Sequence, residues 1–319
     1  MLNTDTPHNP PTSALPALMI GVCTRRRPGM LGRLLSSLLR MHVPEDVRVA
    51  VHVVENDAEP ANRALVAGFD ASAPFPVSYQ LETRVGIPQA RNCLLQHARS
   101  LGATALLFVD DDEEVEPDWL LALLGYARKA QWQAVIQGRV VAQVSPACQD
   151  YLRPYFQRKV RVTGERLTTC ASNNTLVPLA LLKDESLTFD ESRPRDGGTD
   201  TIFFTALASR GVPIYYCHEA AVVETIPAER ANLRYLSRRK FRVGLLLGSG
   251  SVQDKPRTLG RAMFYAFRGG VSLLEAGLNM LLLQRDNMVR AWLSGCRSIG
   301  YALGYFRMRH EPYMEVEGF

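Results

Sequence analysis

Apolar runs of six to eleven residues recur through the first half of the chain, each separated from the next by polar or helix-periodic sequence. ALMIGVC (17–23) is the first, and RPGMLGRLLSSLLRM follows it with leucines at helical spacing. VRVAVHVV (47–54), PVSYQL (76–81), ATALLFV (103–109) and AVIQGRVVAQV (134–144) read as further strands. Between them, GIPQARNCLLQHARSLG (86–102) is a helix closed by Gly102, and PDWLLALLGYARKA (117–130) is a helix with Pro117 at its start. Strands alternating with helices predict a parallel, doubly wound sheet, whose ligands sit at the carboxyl ends of the strands. Beyond residue 150 the pattern loosens. VPIYYCHEAAVVE is one more strand, IPAERANLRYLSRRKFRVG is helical, and the last sixty or so residues are helical with arginines and aromatics interleaved.

Length and composition narrow the class. The 319 residues suffice for one large α/β domain with an appendage. Apolar content of 46% and charged content of 22% are those of a soluble globular protein. A net charge of +5 suits anionic small substrates or an anionic membrane surface, and does not by itself call for nucleic acid. Six cysteines without a CxxC pair read as reduced thiols in a cytosolic protein. The opening MLNTDTPHNPPTSALP has neither the basic start nor the apolar run of a signal peptide, and reads as a disordered tail over 1–16. No uncharged apolar stretch reaches eighteen residues, so no spanning helix is expected.

Chemistry concentrates at ALLFVDDDEEVEPDW (105–119), where a buried strand runs into five consecutive carboxylates. Ionised like charges in a partly desolvated place need a positive partner. Strand alternation puts Asp110 and Asp112 on one face, half of a coordination shell for a hard divalent cation. A solvated acidic loop is the plainer alternative. A P-loop ATPase is excluded by the absence of any Gly-Lys dipeptide. An aspartyl-phosphate phosphatase carries its acidic pair after the first strand, not the fourth. A nucleotidyltransferase ordinarily has a glycine-rich loop with a lysine near the first strand, absent here. A sugar-nucleotide transferase, in which metal holds a diphosphate leaving group, fits.

In order along the chain stand MIGVCTRRRPGMLGRLLSSLL, VVEND, GIPQARN, LLFVDDDEEVEPDWL, SNNTLV, GGTDTIFF and AERANLRYLSRRKFRVG. This ordered set resembles bacterial family 2 glycosyltransferases of the surface-polysaccharide kind, over about residues 17 to 250. The resemblance implies the GT-A fold, a Rossmann-like doubly wound mixed sheet. It divides the chain into a nucleotide-binding half (17–145), an acceptor and catalytic half (146–250) and a helical extension (251–319). It also implies inverting transfer from a nucleotide-diphosphate sugar, by default a UDP-hexose, with Mg²⁺ or Mn²⁺. The acceptor expected is a saccharide or polyprenyl-linked saccharide at the cytoplasmic membrane face. A sugar-nucleotide-binding protein without turnover is the alternative from another class.

The same resemblance assigns residues. Thr24, Arg25 and the arginines up to Arg27 stand where the nucleotide is contacted, with at least one of the three arginines meeting it. Glu55 would meet it too; it stands where the family usually has Asp, and a structural cap is its alternative. Arg91, beside Asn92, would pair with a phosphate or an acidic group, and Gly86 would let the backbone approach the base. Asp112 and Asp110 would hold metal, with Asp110 and Asp111 also near the ribose. Asn173, next to Asn174, would face donor sugar or acceptor. Asp200 matches the aspartate of an ED pair whose Glu is here Thr199, and would be the general base, with Asp196, Glu191 or Glu224 as substitutes. Glu224, near His218, stands where relatives carry a metal-binding His; a surface glutamate is its plain alternative. Arg230, Arg238, Arg239 and Arg242 are placed on a helix, where Arg238 and Arg242 share a face and would neutralise the diphosphate.

Overall fold

A computed structural model describes residues 15–192, 197–250 and 258–306. Strands β1 (Ala17–Thr24), β2 (Arg48–Glu55), β3 (Val77–Leu81) and β4 (Ala105–Asp110) alternate with helices α1 (Pro28–Leu39), α2 (Arg63–Asp70) and α3 (Ile87–Ser100). Each boundary except those of α2, which the pattern does not pick out, lies within two residues of the hydrophobic pattern. The chain continues through β5 (Glu113–Val115), α4 (Trp119–Lys129), β6 (Val135–Val144), β7 (Arg166–Leu167), β8 (Thr175–Pro178), α5 (Thr199–Ser209) and β9 (Ile214–Ile226). Three long helices close it: α6 (Leu233–Gly248), α7 (Leu259–Leu281) and α8 (Arg285–Tyr305). The disordered-tail expectation for 1–14 lies outside the described residues, as do residues 251–257 and 307–319 of the predicted extension.

All nine strands form one sheet in the order β3-β2-β1-β4-β8-β6-β9-β5, with β7 on β9. The first four are mutually parallel. The sheet is nevertheless mixed, because β8 runs antiparallel to both β4 and β6. Alternation alone predicts a parallel sheet. It fails at β8 because that strand arrives from a long excursion over 145–174 and enters the sheet centre from the opposite end.

The parallel strands are buried on both faces, as their continuous apolar runs require. Leu18, Ile20 and Val22 of β1 pack with Leu31, Leu34, Leu38 and Leu123 on one side. Met19 packs with Leu94, Leu95, Phe108, Phe189 and Phe204 on the other. A third core of Phe156, Leu236, Val289 and Leu293 ties α6 and α8 to the segment after β6. Helices α6 and α8 cross closely: a Cβ at Gly300 would lie 2.2 Å from the Phe241 carbonyl oxygen. Of the six free cysteines, Cys93, Cys148, Cys170 and Cys217 are buried.

Candidate active site at the carboxyl ends of the strands

The loops that follow β1, β2, β3 and β4 all lie at one edge of the sheet, because the four strands are parallel. After β1, Thr24 Oγ1 donates to Asp111 Oδ2 at 2.8 Å and Arg27 Nη1 donates to Asp111 Oδ1 at 3.0 Å. Asp111 is therefore buried with both oxygens taken, and it fastens the end of β1 to the end of β4. Arg25 and Arg26 turn instead to Asp57, at 3.8 Å and, through Nη2, 3.1 Å. Burial raises the Asp57 carboxyl, but Arg26, the Ala58 amide and Arg25 outweigh it and hold the group below its usual range.

Glu55 does not reach into the site. It is fully buried, accepting from the Asn62 amide at 2.9 Å, Asn62 Nδ2 at 2.6 Å and the Tyr79 hydroxyl at 2.6 Å. The extra methylene carries its carboxylate into the start of α2, so the contact with base or ribose gives way to a structural role. The neighbouring Asn56 grips the β3–α3 loop, donating to the Glu82 and Arg84 carbonyls and accepting from Gly86 N at 2.7 Å. Gly86 itself is extended, at φ 163°, a conformation open to any residue.

The acidic run breaks where β4 ends. Asp111 and Asp112 form a turn and Glu113 begins β5, so Asp110 and Asp112 do not share one continuous strand face as alternation predicts. They still converge. Asp112 Oδ2 accepts from Arg230 Nη1 at 3.2 Å and faces Arg27 Nη1 at 3.5 Å. Glu113 is buried and accepts from Asn173 Nδ2 at 2.8 Å and from the Asp110 amide at 3.0 Å. Opposite it across the β5–β9 pair stands Glu224, which Arg158 holds at 3.0 Å. Burial first, and then the neighbouring carboxylates, push Asp110, Asp112 and Glu113 upward; Arg91 opposes this at Asp110 and Arg27 at Asp112.

On the other flank, Asp200 lies in the first turn of α5, just after Gly198 at φ +89°. Its Oδ1 accepts from Thr201 N at 2.7 Å and its Oδ2 from Ser172 N at 3.4 Å. It is near enough for its charge to raise Asp110. Arg91 Nη1 reaches Thr199 Oγ1 at 3.3 Å, with its guanidinium 5.5 Å from the Phe189 ring centre. It thus links the carboxylate cluster to the start of α5. Asn92 accepts from Phe189 N and donates to Phe189 O and Glu191 Oε1, and Arg84 holds Glu191 at 3.0 Å. Those contacts leave Glu191 a loop anchor rather than a base. Asp196 lies outside the described residues.

Several expected residues serve the frame. Asn173 positions Glu113, and Asn174, at φ +51°, accepts from Trp119 Nε1 at 2.7 Å. Gly138 makes room for that: a Cβ there would lie 2.4 Å from the Asn174 amide and 2.5 Å from the Ala220 carbonyl oxygen. Arg230 precedes α6 rather than lying on it. Among the described residues Arg238 and Arg242 make no ion pair with the acidic cluster; that role falls to Arg27, Arg230 and Arg158. Arg242 does lie one turn before Leu246, which packs against Gly198.

Glu113, Arg158 and Asp57 are not among the residues singled out from sequence. Glu113 carries a readable signal, since a short strand that buries Val115 buries Glu113 two residues earlier. Arg158 carries none, because its partner is 66 positions away.

The donor chemistry fits a hard divalent cation. Asp110, Asp112 and Glu224 offer only carboxylate oxygens, and their mutual repulsion is what a cation relieves. Among the described residues, however, no three such side chains stand in a coordinating arrangement, and Asp112 is already held by arginine.

A mixed sheet with an acidic turn at the carboxyl end of its fourth strand is the arrangement of a GT-A glycosyltransferase fold. Residues 19–184 match the family described as glycosyl transferase family 2. Over 261 residues the chain is 38% identical to the succinoglycan biosynthesis protein ExoM of Rhizobium meliloti (strain 1021), covering 79% of this chain and 81% of that protein. The chain belongs to glycosyl transferase family 2 and is a glycosyltransferase. Among solved structures, S. aureus TarS 1-349 in complex with UDP aligns at a TM-score of 0.53 and 16% identity, over 94% of each chain. GalNAc-T7 with UDP, GalNAc and Mn²⁺ aligns at 0.53 and 13% identity, over 77% of this chain and 52% of that one. The longer TarS structure aligns at 0.52 and 15% identity over 87% of this chain, which spans about half of it, 55%. These likenesses show a shared GT-A fold.

Proposed function

We propose that the chain moves a hexose from a nucleoside-diphosphate donor, UDP first among the candidates, to a hydroxyl of a growing surface polysaccharide, with inversion. The observation that carries this reading is the meeting of Asp110, Arg91 and Asp200 at the carboxyl ends of the strands. A donor-side acid, a cation and a second acid thereby flank one place. Asp200 takes the proton from the acceptor hydroxyl as that oxygen attacks the anomeric carbon, and the bond from that carbon to the diphosphate breaks. Arg91, Arg27 and Arg230 supply positive charge where the leaving group gains negative charge. Asp110, Asp112 and Glu224 are the carboxylates that would hold Mg²⁺ or Mn²⁺, which would supply further positive charge to the leaving diphosphate. A polysaccharide role is supported by the likeness to ExoM, and we extend it to a saccharide or polyprenyl-linked acceptor reached by peripheral contact at the membrane.

Titration calorimetry of UDP into the protein, once with Mn²⁺ and once with EDTA, tests the donor half. The reading predicts binding that is at least about tenfold tighter with Mn²⁺, since a cation held by the carboxylates would offset the charge of the diphosphate. Equal affinity in both would remove the metal from the account.

A further inference from the structure

Helices α6, α7 and α8, with Tyr155, line a cavity of about 360 Å³. Four of its lining side chains are cationic, Lys240, Arg268, Arg290 and Arg297, and none is acidic. Tyr265 and Tyr301 stack on its wall with ring centres 3.9 Å apart. Arg290 donates to Asn287; no acidic partner of Lys240, Arg268 or Arg297 occurs among the described residues. Burial, then the charges of Arg239 and Arg297, pulls the Lys240 ammonium below its ordinary value, a sign of crowded positive charge. Cations gathered without an acidic partner among the described residues stand together at a cost, and an anion removes that cost.

The helix beside this cavity is turned inside out. Toward α8, α7 presents Ala262, Gly269, Ser272, Ala276 and Asn279, all buried. Its outer face carries Phe264, Phe267, Val271, Leu274, Leu278 and Leu281 at three- and four-residue spacing, with Phe267 73%, Leu274 77% and Leu281 81% exposed. A stripe of that length is far larger than the scattered apolar residues of an ordinary surface. No described helix is long and apolar enough to cross a membrane, so the stripe suits a helix that lies in the interface.

We infer that the α6–α8 cavity is a binding site for the phosphate headgroup of an anionic membrane lipid, with the outer face of α7 set into the acyl layer beside it. A headgroup phosphate matches the cationic lining in sign, and the apolar stripe adjoining it matches the tail that a free anion lacks. The tyrosine walls give the cavity an amphipathic rim, as residues at a lipid–water boundary have. This deepens the membrane contact proposed above and rests on it.

Vesicle flotation of the full chain tests the inference, with phosphatidylcholine vesicles, the same vesicles containing phosphatidylglycerol, and inorganic phosphate in separate arms. Arg268→Gln/Arg297→Gln removes two lining charges; Arg48→Gln/Lys129→Gln removes two exposed charges from the sheet domain as a control. The inference predicts flotation on the anionic vesicles only. It predicts partitioning weakened roughly thirtyfold by the lining pair, the loss of two basic groups near such a surface, and within about twofold of wild type for the control. Melting temperatures show that each variant is folded. Equal flotation of the lining variant and wild type would overturn the headgroup site while leaving peripheral contact standing. Failure of the wild type to float, including as a dimer joined through the stripe, would overturn both. Inorganic phosphate that binds as tightly as vesicles at equal phosphate concentration would make the cavity a soluble-anion site and overturn the lipid assignment.

Discussion

Asp110 and Asp112 stand where burial and neighbouring carboxylates oppose ionisation, and their carboxyls are pushed up to about 6 and about 7. The folded chain therefore holds protons that the unfolded chain, with ordinary carboxyls near 3.8, has released. Stability without metal falls as pH rises from about 4 to about 7 and levels off above. A divalent cation reverses the trend, so the rise in melting temperature with Mn²⁺ over EDTA grows between pH 5 and pH 8. Asp110→Asn removes the charge while keeping the shape. It should raise the metal-free melting temperature at pH 8 by about 2–4 °C, the scale of 1 kcal/mol in a domain of this size, and abolish the Mn²⁺ effect. A metal-free variant that melts below wild type at pH 8 would contradict the assigned repulsion. The acidic run itself was plain in the sequence, as were Asp200 and Arg91. What each carboxylate touches was not. Glu55 and Asp111 look like ligands in a linear reading, yet fold inward because Asn62, Tyr79, Thr24 and Arg27 meet them from distant positions.

At the scale of elements, β1 to β4 with α1 and α3 follow from local pattern alone, since each apolar run is long enough to be buried on both faces; the short α2 does not. The placement of β8 and the pairing of β5 with β9 depend on contacts across 67 to 111 positions, which periodicity does not encode. The crossing of α6 and α8 is likewise non-local, and small residues make it. Gly300→Ala would drive a Cβ into the backbone of α6 and should cost about 1–3 kcal/mol by overpacking. Gly270→Ala on α7, where no atom lies within 4 Å of the added Cβ, should instead stabilise by about 0.5–1 kcal/mol through helix propensity. Urea unfolding followed by the fluorescence of Trp292, whose indole N–H bonds Ser237, reads both changes. Equal midpoints for the two variants would contradict the close crossing.

For the molecule as a whole, one sheet divides the work. Its parallel half presents the loops of the proposed nucleotide site, and its mixed half brings Glu224 against the acidic turn. Between the two sits the start of α5 with Asp200, while α6 sets Leu246 against Gly198 and contributes the neighbouring Leu247 to the lining of the cationic cavity. The central claim is that Asp200 removes the acceptor proton while Asp112 serves the donor. Transfer of labelled sugar from UDP-hexose with Mn²⁺ to a membrane acceptor extract, measured for wild type, Asp112→Asn and Asp200→Asn beside donor affinity, tests it most directly. Asp112→Asn should lose donor affinity and turnover together. Asp200→Asn should bind donor within a few-fold of wild type and transfer about 10²–10⁴ times more slowly, the scale of a lost general base. If Asp200 only caps α5, Asn serves nearly as well; a folded Asp200→Asn protein that transfers sugar at close to the wild-type rate would contradict the account.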